Sequence, residues 1–470
     1  MPGSIIRNLL FALSLIVTQV ITGQVDSVEM LRLATVQNGL SPAFHRERRD
    51  EIRALMPNRS MALIFSSGEK VRSNDVFYPF HQDPNFYYLT GLEEADALLL
   101  LFKEGQVVDG DTLTELLYLP PSSKEYEKWN GRRLGTFGAE KELGFHKARV
   151  NSEFPDFDLN YAYFDKIFLL LPDGTFHDRS RDRGDGASML KHFLFRTDTL
   201  SRKLDVVQLS SWLDDMRQFK SEEELLLMQK AIDITCQAQI SLMKELDSTY
   251  TEYMAEALIE YEFRKAGSEC PGFPSIVGGG ENTCTLHYIT NQDSLVSGDL
   301  LVVDIGAEYR NYTADVTRTI PVSGRFSEEQ RAIYDLVLEA QRKGIEASVK
   351  GSKFWEPNEA AEDVIKKGLK DLGIIKRTFQ VKTYFPHGTS HYLGLDVHDA
   401  GTYESLQPGQ VITVEPGIYI PEGSDCDPKW WNIGVRIEDD VLITEDKAIV
   451  LSDCVPSDPE EIEKLMSGAD

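Results

Sequence analysis

The stretch LLVVDIGAEYRNYTADVTRTI (300–320) puts charge inside runs that otherwise read as buried β-strands. Two apolar segments flank a short polar connection, so the stretch predicts a hairpin. Asp304 closes the first run and Asp315 lies in the returning one. A turn at Tyr309–Arg310 makes the two aspartates direct cross-strand partners on one face. Like charges placed opposite repel by up to about 1 kcal/mol, and burial raises that cost unless a cation sits between them. Either aspartate alone reads as a turn or surface residue. As a pair at this spacing they point to a metal.

Two further acids repeat the pattern. VITVEPGIYI places Glu415 at the end of an apolar strand, and IGVRIEDDVLIT places Glu438 inside one. Arg436 shares a strand face with Glu438, two residues away. The bland reading is that Arg436 pairs with Glu438 or with another acid. Nearby, PHGTSHYLGLDVHDAG (386–401) holds His387, His391 and His398, in a chain with only nine histidines. One imidazole added to four carboxylates is a hard, oxygen-dominated ligand set, which favours Mn²⁺ or a similar ion over a thiolate-type zinc site. Four carboxylates exceed the charge of one divalent ion, so two ions about 3.5–4 Å apart balance them better, and such a pair lowers the pKa of a water held between them.

The rest of the composition narrows the function. A formal net charge of −27 leaves no basic footprint for nucleic acid. The surplus acid is chiefly solvated surface. The contents of 41% hydrophobic and 27% charged residues describe a globular chain, and 470 residues predict two domains. Arg7 followed by LLFALSLIV resembles a secretory signal over 1–23, cleaved near Gly23. Export is therefore expected, periplasmic in a bacterium and otherwise secreted, with no membrane span after cleavage. The five cysteines form no CxxC pair, so neither a zinc–thiolate site nor a disulfide framework is expected.

Residues 24–50 read as a polar, partly helical lead-in. SMALIFSS (60–67), ADALLLLF (95–102), ELLYLP (115–120) and KIFLLLP (166–172) predict buried strands, with helical patterns between them. Such alternation indicates an α/β layer domain. The composition changes near 205–215, where long amphipathic patterns begin. Ser221 with Glu224 and Ser327 with Gln330 have capping-box spacing, and Gly373 suits the C-terminal stop of a helix over EAAEDVIKKGLKDLG.

Five blocks, TLHYITN, VVDIGAEYRNYTADVTRT, HGTSHYLGLDVHDAG, VEPGIYI and GVRIEDDVLIT, occur in the order found in the pita-bread metallopeptidases. Together with NDVFYPFHQDPNFYYLTGLEEADALLLL (74–101), they make the chain resemble the Xaa-Pro aminopeptidase (aminopeptidase P) family. That resemblance implies an α/β (α+β) fold, with an N-terminal α/β domain over 51–208 and a pita-bread catalytic domain over 209–465. It implies Asp304, Asp315, His391, Glu415 and Glu438 as ligands of two divalent ions, Mn²⁺ being expected. Glu415 matches the glutamate often assigned as general base. His287, His387 and His398 match histidines along the substrate groove that steady the tetrahedral intermediate, and Arg436 matches an arginine beside it. The implied substrates are peptides with proline at the second position, and a homo-oligomer, dimer or tetramer, is expected. The aromatics of 74–101 first read as core. The resemblance assigns part of them to the groove, with Tyr87 standing where some relatives carry tryptophan. Prolidases share the metal cluster but cleave only Xaa-Pro dipeptides, and the N-terminal signature favours the aminopeptidase. A non-catalytic pita-bread binding module is disfavoured because all five ligand positions are intact.

Overall fold

The computed structural model describes residues 32, 34–174, 176–179 and 181–468, so the signal-like stretch over 1–23 lies outside the described residues. Two compact units are present: Leu40–Arg217, and Gln218 onward together with the described residues before Leu40. The helix Gln208–Arg217 packs on the first unit's own sheet. Its Leu209 and Leu213 are buried, and the Trp212 ring lies 5.0 Å from that of Phe168. The lead-in expected over 24–50 runs into a helix. The helix Pro42–Leu55 starts inside it, with Ser41 accepting a capping bond from the Phe44 N–H.

In the first unit all four expected strands form, within a six-stranded mixed sheet. Ser60–Phe65 lies between Leu98–Val108 (antiparallel) and Lys166–Leu170 (parallel). It is buried along its whole length, which is why its sequence is continuously apolar rather than alternating. Phe86, Tyr87 and Tyr88 lie on the helix Pro84–Thr90 and are buried, whereas Val76, Phe77 and Tyr78 are exposed. Tyr87 packs edge-on against His45, with ring centroids 5.6 Å apart.

Among the described residues, the second unit has four long helices, Glu222–Glu245, Glu252–Lys265, Glu328–Ala347 and Glu356–Asp371. Both predicted capping boxes form, on Ser221/Glu224 and Ser327/Gln330. Gly373 adopts φ +76° just past the fourth helix, the left-handed stop that glycine permits. The helices cover small antiparallel sheets built from two long hairpins, 300–321 and 411–443.

The first hairpin corrects the expected register. Leu300–Ile305 pairs with Val316–Pro321 so that Asp304 faces Thr317, and Tyr309 faces Tyr312. The two-residue turn is Arg310–Asn311, at φ +53° and +68°. A turn with both central residues left-handed matches strand twist, and asparagine tolerates that conformation. Asp315 remains on the face of Asp304, as a diagonal rather than a direct neighbour. At Gly306 the two strands approach so closely that a Cβ there would lie 1.7 Å from the Ala314 carbonyl oxygen. Regular pairing lapses at Gly306 and Ala314–Asp315, and the Asp315 N–H donates to Asp440 Oδ2 at 3.2 Å instead.

The second hairpin breaks in the same manner. Val411–Val414 pairs with Asp439–Ile443, and Gly417–Ile420 pairs with Ile433–Arg436. Glu438 is therefore not inside a strand. It sits opposite Glu415 across the gap between Val414↔Asp439 and Gly417↔Arg436. Its N–H donates to the Thr317 carbonyl at 3.1 Å, joining the two hairpins. Arg318 braces this junction from behind. Its guanidinium donates to Asp439 Oδ1 (2.8 Å) and to the carbonyls of Glu438 (2.6 Å), Thr317 (2.9 Å), Val455 (3.0 Å) and Pro456 (3.0 Å). Asp439 also accepts from Gln341 and Ser452, so the buried ion pair is well supplied with hydrogen bonds.

The cysteines make no framework, but Cys236 and Cys454 form one disulfide. They are separated by 218 residues, and only packing of the helix Glu222–Glu245 against the C-terminal segment brings their Cα atoms to 6.0 Å. Among the described residues, Cys270, Cys284 and Cys426 are outside any disulfide.

Arg318→Ala leaves Asp439 without its cation and several buried carbonyls without a donor. It is expected to lower unfolding stability by about 3–5 kcal/mol, read from the denaturant midpoint at unchanged slope. A loss below about 1 kcal/mol would show that the brace is dispensable.

Candidate metal centre and substrate cavity

The breaks in the two hairpins open onto one cavity of about 550 Å³. All nine residues singled out from the sequence line it: His287, Asp304, Asp315, His387, His391, His398, Glu415, Arg436 and Glu438. Asp304 and Asp315 come from the first hairpin, Glu415, Arg436 and Glu438 from the second. His391 is held between them, its N–H on Thr413 Oγ1 (3.2 Å) and its carbonyl accepting from the Thr413 N–H (3.0 Å).

Asp315, His391 and Glu438 each offer a ligand atom, and these atoms lie within 4.8 Å of one another. His391 Nδ1 bonds the Tyr392 carbonyl at 2.9 Å. That bond places the proton on Nδ1 and leaves the Nε2 lone pair for a cation. Nε2 faces Asp315 Oδ2 at 3.5 Å and Glu415 Oε1 at 3.4 Å. Thr317 Oγ1 donates to Glu438 Oε2 at 2.6 Å, fixing that carboxylate's rotation.

Crowded burial alters the acids. Burial drives the Asp315 carboxyl well above its ordinary pKa, and the charges of Asp304, Asp440 and Glu415 push the same way. Burial also lifts Glu438 well above the usual range, aided by Asp315, Glu415 and Asp304. Glu415 is raised by burial despite opposition from His391 and Arg436. No donor reaches Oδ1 of Asp304 or Oδ1 of Asp315, although both atoms are buried. Buried like charges with unsatisfied oxygens beside a tautomer-fixed imidazole fit a divalent cation.

Arg436 takes the acid that the bland reading left open. Its Nη2 donates to Asp304 Oδ2 at 2.6 Å, and its Nη1 to Tyr419 Oη at 2.9 Å. Tyr419 Oη in turn donates to His387 Nε2 (2.9 Å), while His387 Nδ1 bonds the Gly388 carbonyl (2.6 Å). Both ring nitrogens of His387 are thus engaged, and burial pushes its pKa down to about 4, so the ring is neutral. The His398 ring stands edge-on to His391 with centroids 4.3 Å apart. Partial desolvation and the neighbouring His391 and His287 lower its pKa as well.

Sequence reasoning missed four supporting residues. Tyr419, Thr317 and Thr413 orient the imidazole and carboxylates, and the buried Asp440 holds the Asp315 backbone. Tyr419 carried a usable signal, since it lies on the strand following Glu415 at an even spacing. The threonines carried none, because threonine is ordinary in strands.

Residues 226–445 match the model of Metallopeptidase family M24, and residues 45–162 match that of the Aminopeptidase P N-terminal domain. A Haemophilus influenzae Xaa-Pro aminopeptidase is 38% identical over 433 residues, covering 90% of this chain and 96% of that protein. An Escherichia coli Xaa-Pro aminopeptidase is 35% identical over 442 residues, covering 91% and 98% respectively. Among solved structures, Pseudomonas aeruginosa aminopeptidase PepP superposes with a TM-score of 0.82 at 33% identity, over 92% of this chain and 99% of that one. Zinc-substituted E. coli aminopeptidase P in complex with product gives 0.81 at 34% identity, over 92% and 99%. The architecture is an N-terminal α/β domain followed by a pita-bread domain, and the chain belongs to metallopeptidase family M24 as one of its Xaa-Pro aminopeptidases.

Proposed function

We propose that this metallo-aminopeptidase works at the 550 Å³ cavity, with Asp304, Asp315, His391, Glu415 and Glu438 as the holders of two divalent ions. It hydrolyses the bond between an N-terminal residue and a following proline. The observation that supports this site is the convergence of four acids and one tautomer-fixed imidazole on a single cavity. Ions held by these residues would compensate the clustered charge and would supply a water of lowered pKa for attack on the peptide carbonyl. Mn²⁺ is the ion that this oxygen-rich donor set favours.

The chain's own groups supply orientation and proton handling. Glu415, whose carboxyl burial makes more basic, is suited to take the proton of the attacking water and pass it to the departing proline nitrogen. Thr413 Oγ1 donates to Glu415 Oε1 at 3.4 Å, the oxygen that faces His391 Nε2. His287 and His398 line the cavity as candidates to donate a hydrogen bond to the oxyanion that develops in the transition state. His387 acts differently. Its nitrogens are spent on Tyr419 and Gly388, so it stiffens the Arg436–Tyr419 wall on which Asp304 rests.

Export and a homo-oligomeric state complete the proposal. Export rests on Arg7 and the apolar run after it. Among the described residues, no helix is long and apolar enough to cross a membrane.

Metal-stripped enzyme with and without Mn²⁺ is to be offered Gly-Pro and a longer Xaa-Pro-Xaa peptide. Mn²⁺-dependent release of the first residue from the longer peptide is expected, and cleavage of the dipeptide alone would overturn the assignment. Asp315→Ala and Glu438→Ala are expected to abolish hydrolysis and lower bound metal. Near-normal turnover by either variant contradicts the ligand set. His398→Ala should keep its metal and lose about 10²–10³ in rate, the effect of removing one oxyanion donor.

Stability should also respond to pH. The raised pKa values of Asp315, Glu415 and Glu438 mean that the metal-free fold holds protons more tightly than the unfolded chain. Their stabilising protonation is present at low pH and is lost as pH rises through the folded values. The metal-free Tm should therefore fall as pH rises above the ordinary carboxylate range, while the Tm gain on adding Mn²⁺ grows over the same rise. Equal gains at both ends would disprove the coupling.

A further inference from the structure

His287 reaches the cavity from a segment that no sheet ladder holds. After the strand Ile276–Gly279 the chain makes the short turn Gly280–Cys284, and it then runs without regular structure past Asp293. Leu286, His287 and Ile289 from this segment line the cavity. Side chains, rather than strand pairing, must therefore set their position.

One carboxylate gathers the segment. Glu252, the first residue of the helix Glu252–Lys265, is fully buried and does not line the cavity. Its Oε1 accepts from the Gly279 N–H (2.8 Å) and from Asn282 Nδ2 (2.9 Å). Its Oε2 accepts from Tyr288 Oη (2.8 Å) and from the Asp293 N–H (2.8 Å). The Glu252 N–H donates back to the Asp293 carbonyl at 2.9 Å. Both ends of the segment and two points within it are thus tied to a single group. Its four donors are amides and a hydroxyl, not a side-chain cation. A buried carboxylate satisfied in this way needs every one of them, so the loop and the acid depend on each other.

On the cavity side the same segment is latched through the Leu286 carbonyl, which accepts from Arg436 Nη2 at 3.4 Å. Arg436 is the residue that grips Asp304. Tyr288, the neighbour of His287 in the chain, is the point where the buried clamp reaches the middle of the loop.

We propose that Glu252 is a positioning residue for the peptidase reaction: acting through Tyr288, it sets His287 and the adjoining apolar wall at the height over the cavity that the reacting peptide requires. The inference rests on the role proposed above for His287. A donor displaced by about 1 Å costs up to about 10²-fold in rate even when no reacting group is removed. The metal ligands come from other strands, so metal binding should survive loss of the clamp.

The test uses the full-length, Mn²⁺-loaded enzyme and a Xaa-Pro-Xaa peptide. Tyr288→Phe removes only the hydroxyl, and Glu252→Gln presents an amide N–H₂ to donors that need an acceptor. Tyr288→Phe is expected to keep its metal content and its Tm close to wild type while kcat/KM falls about 10-fold or more. Glu252→Gln should fall at least as far. Because the clamp acts through His287, Tyr288→Phe should add little on a His287→Ala background. Unchanged kcat/KM in Tyr288→Phe overturns the proposal, as do full multiplication of the two effects in the double variant and loss of activity in step with loss of metal. A wild-type enzyme inactive on every Xaa-Pro peptide with Mn²⁺ bound would instead overturn the function itself, so the two failures are distinguishable.

Discussion

Everything in the second unit is arranged around acids that repel one another. Asp304, Asp315, Glu415 and Glu438 converge on one cavity, and burial there favours the protonated forms of Asp315, Glu415 and Glu438. A continuous β-ladder could not gather them, since it would pair each with whatever stood opposite and space the rest at strand intervals. Each hairpin instead lapses at the acids. Close approach at Gly306 interrupts the first, and the gap between Val414↔Asp439 and Gly417↔Arg436 interrupts the second. At those breaks the backbone turns its hydrogen bonds to other partners, and the carboxylates are left to face the cavity.

Such breaks need reinforcement, and two arginines provide it in different ways. Arg318 lies behind the junction, where its guanidinium satisfies Asp439 and carbonyls from three chain segments. Nothing it touches lines the cavity except Glu438, which it holds by the main chain. Arg436 faces the cavity and neutralises Asp304 directly. From Arg436 a hydrogen-bonded chain runs through Tyr419 to His387 and ends at the Gly388 carbonyl. The histidines are thereby separated by chemistry as well as by place. His391 has its Nε2 lone pair directed at the acids, whereas His387 has neither nitrogen to spare.

The elements themselves were readable at the level of single residues. Buried strands in the first unit showed as unbroken apolar runs because both faces are covered. Two helix starts were visible because a capping box needs only residues three apart. Register was misread, since it depends on which two residues of a polar connection accept left-handed backbone, and Arg310 gives no hint that it will. The Cys236–Cys454 bond and the Glu252 clamp were invisible for a related reason. Their partners lie far apart in the chain, and neither glutamate nor cysteine announces burial through its neighbours.

Sequence by itself determined the ligand chemistry of this protein. Acids placed in apolar β-runs and histidines crowded into one stretch supply hard oxygen and imidazole donors, because residue type fixes charge, basicity and donor atom. It also determined the family, through motifs in a set order. Tertiary structure alone decided which acid Arg436 neutralises, which imidazole keeps a lone pair, and which distant groups Glu252 gathers. Those outcomes depend on distances of a few ångströms between distant segments, and such distances are set by packing and backbone breaks rather than by spacing along the chain.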